Sequence, residues 1–216
     1  MKIKVPGDRQ QNKIAFEFIK DIKENKKLLD IGAADCILKE FLPKNIKYYS
    51  LDIHDKEAKQ DFILDLDKQK IPVKNNFFDI ILCLDTLEHT MYPKKILKEL
   101  KRIAKNDALF IFSLPNEYNF LQRAYYLFAI KKQTEKPWMV VEEHQHIHKP
   151  RIKDIIELFS ESFKIKAVRY HWESRASGRK RIFWYVDRFI NLLSKVYPGM
   201  FARDVVVVCR SRSNEE

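Results

Sequence analysis

The chain has 216 residues, a third of them charged and 45% apolar, with a formal net charge of +11. That length suits one α/β domain with a full core, and that balance excludes a disordered chain. The three cysteines, Cys36, Cys83 and Cys209, are odd in number and far apart, which excludes a disulfide framework and a zinc spacing and points to a reducing compartment.

The opening MKIKVPGDRQ lacks the apolar stretch of a signal peptide, and no run nears the roughly 18 apolar residues needed to span a bilayer. A cytoplasmic location is expected. From Lys164 onward twelve Lys/Arg stand against five Asp/Glu. A basic end suits an anionic partner such as phosphate, nucleic acid or the inner membrane surface, or serves solubility alone.

In chain order, apolar residues at 14, 15, 18, 19 and 22 predict an amphipathic helix over Gln10–Asn25. KKLLDIG is a first strand, and Ile37, Leu38, Phe41 and Leu42 mark a short helix stopped by Pro43. KYYSLDI (47–53), DFILDL (61–66) and FFDIILCLDT (77–86) are the next strands. The near-continuous apolar character of the last suits a central strand covered on both faces. A helix through Ile96–Ala104, the strand ALFIFSLP (108–115), a helix around Ile152–Phe159 and the strands FKIKAVRYHW (163–172) and DVVVVCR (204–210) follow. Strands alternating with helices imply a Rossmann-like, seven-stranded, mostly parallel sheet with helices on both faces. The expectation is a single domain over 1–216 with two insertions. One, 116–150, is aromatic and then rich in histidine; the other, 173–203, is basic and aromatic.

In such a sheet ligands bind at the carboxyl ends of the strands. Asp30, Asp52, Asp65 and Asp85 each fall at a strand end, so all four are expected on one rim. Aspartate also caps turns and helices, but four in register favour a ligand. Asp52 follows Gly32 by twenty residues, the place of a carboxylate that accepts both ribose hydroxyls. A dinucleotide would want a second glycine for its pyrophosphate, and the chain has Ala34 there. A carboxylate rim suits a cation better, and S-adenosylmethionine carries a sulfonium and no phosphate.

The blocks LLDIGAADC, YYSLDI, DFILDLDKQKIPVKNNFFDIILCLDTLEHT and ALFIFSLPN resemble class I S-adenosylmethionine-dependent methyltransferases, nearest to the branch of quinone-precursor and glycan-tailoring enzymes. The resemblance implies a last strand antiparallel to the rest. It places Asp30, Gly32, Ala33 and Ala34 in the cofactor turn, Asp52 at the ribose and Ile53 against adenine. It sets Asp65 and Leu66 at the adenine edge and Leu84 and Asp85 beside the methionine part. The family turn reads acid-x-Gly-x-Gly-x-Gly, where this chain has Asp30, Gly32, Ala34 and Cys36.

An alcohol or phenol acceptor benefits from a base. The candidates are His89 and the EEHQHIHKP cluster of Glu142, Glu143, His144, His146 and His148. By resemblance, His146 matches a histidine that this branch carries just before the helix near Arg151. No metal site is assigned, although alternating histidines, or Asp85 with Glu88 and His89, offer suitable ligand types. Tyr118, Phe120, Tyr125, Tyr126, Phe128 and Trp138 of the first insertion either stack on an acceptor or form a small core of their own. In the second, Phe183, Trp184, Phe189, Ile190, Leu193 and Tyr197 lie among Arg179, Lys180, Arg181, Arg188 and Lys195. That mixture suits peripheral membrane contact through 179–200, a dimer interface or packing on the domain. The expected function is O-methylation of a small molecule or lipid-linked glycan. The alternatives are RNA methylation, disfavoured because no Asn/Asp-Pro-Pro-aromatic motif follows the fourth strand, and a non-catalytic binding protein.

Overall fold

The computed structural model describes residues 9–55, 59–128, 146–173 and 181–212, with side chains of the last segment from 184 onward. Helix α1 (Gln10–Ile19) leads into β1 (Lys26–Ile31), a 3₁₀ turn (Ile37–Phe41), β2 (Ile46–Asp52), β3 (Phe62–Ile63) and β4 (Phe78–Leu84). A second 3₁₀ turn (Leu87–His89), α2 (Pro93–Ile103), β5 (Ala104–Pro115) and α3 (Phe120–Leu127) follow. Then come α4 (Ile152–Ser160), β6 (Phe163–His171), α5 (Arg181–Val196), α6 (Pro198–Phe201) and β7 (Asp204–Ser211).

The seven strands form one sheet in the order β3-β2-β1-β4-β5-β7-β6. Strands β1 to β5 pair in parallel, and β7 runs antiparallel to both β5 and β6. This is the Rossmann-like architecture expected, with the last strand alone reversed. The chain steps outward from β1 to β3, then returns to place β4 on the other side of β1. Diverging connections at that point open a crevice at the carboxyl ends of β1 and β4.

Alternating side chains of the strands feed two cores. Leu29, Ile31, Ile81, Cys83, Phe110 and Phe112 pack with Ile96, Leu97 and Leu100 of α2 and with Ile155 and Phe159 of α4. Leu28, Ile80, Leu82, Ile111 and Val206 pack on the other face with Ile14, Ala15, Phe16 and Ile19 of α1. A register shift between Phe78 and Ile80 accompanies a break in this alternation, since Phe78 packs with Ile81 and Cys83 and not with Ile80 and Leu82. The three cysteines are free and buried.

Two elements are shorter than the sequence suggests. Helix α1 ends at Ile19 instead of Asn25, because the Asn45 amide donates to the Ile22 and Glu24 carbonyls (2.9 and 2.6 Å) and turns the chain toward β1. Strand β3 keeps only Phe62 and Ile63 of the expected 61–66. The Asp61 carboxylate accepts from the Ser50 amide (2.9 Å) and hydroxyl in place of a ladder bond, and Asp65 opens a turn whose Lys68 and Gln69 amides donate to its carbonyl.

Candidate functional site

The turn after β1 is built from alternating left-handed residues. Gly32 has φ 69°, Ala34 φ 44° and Cys36 φ 51°. The glycine conformation of the family turn thus persists where its second and third glycines do not. Gly32 is required twice over, by its φ and because a Cβ there would collide with the Thr86 hydroxyl. That hydroxyl donates to the Ile31 and Leu84 carbonyls and joins the ends of β1 and β4. The Gly32 and Ala33 amides donate to the Leu51 carbonyl (2.8 and 3.2 Å), and the Ala34 amide donates to Asp52 Oδ2 (3.0 Å).

The four expected aspartates share one end of the sheet but not one level. Asp30 pairs in register with Ser50 and Leu82, two residues below the lip. It is buried and accepts from the Tyr48 hydroxyl (2.9 Å). Burial pushes its carboxyl up to about 7, Tyr48 opposes this, and the Asp52 charge adds to it. Asp52 ends β2, its Oδ1 accepting from the His54 amide (3.2 Å), and Ile53 beside it is 47% exposed. Asp85, at φ 50°, accepts from the Ser113 hydroxyl (2.5 Å) and from the Gln11 side chain. Leu84 before it packs partly buried against the α1 core. Asp65 lies past β3, where a hydrogen bond from Lys68 (2.9 Å) holds its carboxyl below the usual range, and Leu66 packs against the larger core.

His89 and His146 meet at the second 3₁₀ turn, just past the end of β4. The Ile147 and His148 amides both donate to the Glu88 carbonyl (2.8 and 3.1 Å), fastening this segment along the second 3₁₀ turn. The two imidazoles lie edge to face at 4.8 Å. His146 Nδ1 is 2.6 Å from Glu117 Oε1. Glu88 is fully buried, and neither carboxylate oxygen has a hydrogen-bond partner among the described residues. Burial first, then the charge of Asp85, lifts its carboxyl well above the usual range.

His148 is drawn elsewhere, its Nε2 2.9 Å from the Thr90 carbonyl. Glu142, Glu143, His144 and Trp138 lie outside the described residues. Phe120 stacks on Trp172 at 5.0 Å, whereas Tyr118, Tyr126 and Phe128 are exposed. Sequence reasoning missed Gln11, Tyr48, Ser113 and Glu117. The only trace of Gln11 is a polar residue on the apolar face of α1, and Ser113 shows as a hydroxyl within an apolar strand.

Residues 8–162 match the family model described as a methyltransferase domain. The chain belongs to this methyltransferase-domain family. The fold is shared with a Bacillus halodurans protein described as a methyltransferase, at TM-score 0.61 and 12% identity, over 93% of this chain and 98% of that one. It is shared with a SAM-dependent methyltransferase from Aquifex aeolicus, at TM-score 0.54 and 15% identity, over 94% and 90%. Haemonchus contortus phosphoethanolamine N-methyltransferase 2, solved with S-adenosyl-L-methionine, matches at TM-score 0.58 and 14% identity, over 97% of this chain and 54% of its own. A 52-residue stretch is 38% identical to an uncharacterised Methanocaldococcus jannaschii protein, covering 24% of this chain and 23% of that relative's length.

Two outcomes follow from the strained turn and the buried acid. A left-handed residue other than glycine costs roughly 1–2 kcal/mol, part of which glycine returns through unfolded-chain entropy. Ala34→Gly is therefore expected to stabilise this methyltransferase domain by about 0.5–1 kcal/mol in urea unfolding; an unchanged or lower midpoint would contradict the turn geometry. Asp30 holds its proton to a higher pH when folded than when unfolded, since about 7 exceeds the ordinary 3.8. Its contribution is thus fully present below pH 4 and is lost as pH rises through 7. Asp30→Asn removes that dependence. Its stability advantage over the wild type, read from urea midpoints, should grow between pH 4 and 7 and then level off.

Proposed function

We propose that the protein is an S-adenosylmethionine-dependent methyltransferase that methylates an oxygen of a small-molecule or lipid-linked glycan acceptor. One observation carries the donor. Around the crevice, Asp30, Asp52 and Asp85 accept from neutral groups: Tyr48, backbone amides, Ser113 and Gln11. Asp65, at the neighbouring edge, pairs with Lys68, and farther away Asp79 pairs with Lys105, Glu99 with Arg102 and Asp154 with Arg151. In a chain with 41 Lys and Arg, a crevice without a basic partner among the described residues keeps a negative potential suited to a sulfonium and an ammonium.

The residues fit that donor. Each oxygen of Asp52 accepts one amide, and a carboxylate has about four acceptor positions, so positions remain for two ribose hydroxyls. Ile53 supplies an exposed apolar surface for adenine, with Asp65 and Leu66 at the neighbouring edge. Ala33 and Ala34 are small enough for close approach along the turn, below Leu84 and Asp85. When bound, the donor supplies a methyl group on a positively charged sulfur. The protein aligns the acceptor oxygen, excludes water and receives the acceptor's proton. We assign that last task to His89 and His146, a reading supported by their ring contact and by Glu117 against His146 Nδ1.

The outer face of α5 favours a lipid-linked acceptor. Tyr185, Phe189, Leu192 and Val196 recur at helical spacing, each between 57% and 84% exposed, with Arg188 and Lys195 beside them. An apolar stripe with basic neighbours suits an anionic lipid surface. No helix among the described residues is long and apolar enough to cross a membrane.

Calorimetry should show the donor binding, and Asp52→Ala should weaken it at least tenfold; a folded wild type that gives no heat and no thermal shift overturns the donor assignment. Transfer of labelled methyl groups into lipid and polar cell extracts, with mass analysis of the product, should give an O-methylated lipid or glycan, whereas label in RNA overturns the acceptor class. Phe189→Asp with Leu192→Asp should lower co-sedimentation with phosphatidylglycerol vesicles at least fivefold and leave donor binding intact. Equal sedimentation of the two proteins refutes the lipid contact.

A further inference from the structure

We propose that Glu88, His89 and His146 form a binding site for one divalent first-row transition-metal ion. Their ligand atoms all lie within 4.8 Å of one another. Ligands held at about 2.1 Å from one ion are at most about 4.2 Å apart, so closing the site takes shifts under an ångström. Two imidazoles and a carboxylate, with positions left open, are a donor set for zinc, manganese, iron or cobalt more than for magnesium.

Three independent features point the same way. Both Glu88 oxygens are buried without a hydrogen-bond partner among the described residues, although a buried carboxylate is normally satisfied. A cation supplies what that group lacks. Glu117 accepts from His146 Nδ1 at 2.6 Å, which fixes the tautomer that leaves Nε2 as the ligand atom. Asp85, Asp204 and Glu117 place further negative charge around Glu88. The backbone is built for the arrangement, since the Ile147 and His148 amides on the Glu88 carbonyl bring His146 to its partners. The site is open on the side of His146, whose side chain is 36% exposed.

The inference deepens the proposed O-methylation and rests on it for the reaction alone. The histidines become ligands of the ion instead of the base. An acceptor hydroxyl taking an open position would be acidified by the ion and would lose its proton to bulk solvent through the open side at His146 as it binds, before the site closes on the donor. Its oxygen then bonds the methyl carbon as the carbon–sulfur bond breaks and the sulfur keeps the electron pair.

Metal binding is read without donor or acceptor. Tag-free protein, stripped with chelator and dialysed against Zn²⁺ or Mn²⁺, should retain one ion per chain. Co²⁺ should give visible absorption bands of a nitrogen–oxygen site. Glu88→Gln and His146→Ala should each lower affinity at least tenfold, and Glu117→Gln roughly tenfold through the orientation of His146. His146 is partly exposed, so its variant tests the site even if substitution at Glu88 disturbs folding. No retained ion, or retention equal in wild type and His146→Ala, overturns the site. Donor binding measured on the same stripped sample separates the two readings, because donor binding without any ion leaves the donor assignment standing and ends this one.

Discussion

The hydrogen bond from the Ala34 amide to the Asp52 carboxylate is the constraint on which the crevice depends. It closes the turn after β1 against the end of β2 and fixes one face of the Asp52 carboxylate. Everything else at the rim is registered to it. Gly32 and Ala33 donate to the Leu51 carbonyl one residue earlier, and Gln60 Nε2 reaches the Ala34 carbonyl (2.8 Å) from the far side. Thr86 ties the same turn to β4. The ends of β1, β2 and β4 are thus tied to one another by hydrogen bonds. A charged ligand gains most from groups that need no reorganisation when it arrives.

Charge is distributed by position and not by composition. Several lysines and arginines pair with outlying carboxylates such as Asp79, Glu99, Asp154 and Glu161, where exposed pairs contribute little to stability. The crevice carboxylates are left with hydroxyl, amide and side-chain amide donors. Such donors hold a carboxylate in place without cancelling its field. Burying Asp30 and Glu88 on these terms opposes their ionisation, so each holds its proton to a higher pH than in water, and ionising either one costs folding energy. A protein tolerates that cost where a cationic ligand offsets it.

The sheet was legible because its central strands are nearly continuous apolar runs, and because each ends in a polar residue marking the carboxyl edge. Element ends were less legible. Asn45 shortens α1 and Asp61 shortens β3 through side-chain bonds to distant backbone, and no local pattern encodes them. The site divides likewise. The aspartates at 30, 52 and 85 could be read to one end of the sheet, since parallel strands carry position along the chain into position in space. The depth of Asp30 could not, because it depends on Tyr48 in the neighbouring strand. Gln11 and Asp85 are far apart in sequence, as are Glu117 and His146, and only the packed fold joins them. The pairing of His146 with His89, and the departure of His148 toward Thr90, follow from two amides sharing the Glu88 carbonyl. Alternation in an extended segment could not distinguish the three histidines by partner.

Backbone strain is gathered at this same place. Among the described residues, Gly32, Ala34, Cys36, Asp85 and Asn76 have positive φ, and only Asn76 lies away from the crevice. Left-handed conformations at alanine and cysteine cost energy that the local sequence does not recover. They persist because β1 and β4, the strands that carry them, are deeply buried, with Leu28, Leu29, Ile31, Ile81, Leu82 and Cys83 at 0% exposure. A turn that relaxed would have to move strands packed on both faces. The energy of the two cores is thus what allows a glycine-poor turn to keep the shape of a glycine-rich one. The shape that results points the Ala34 amide at Asp52 and leaves the lip of the turn lined by small side chains.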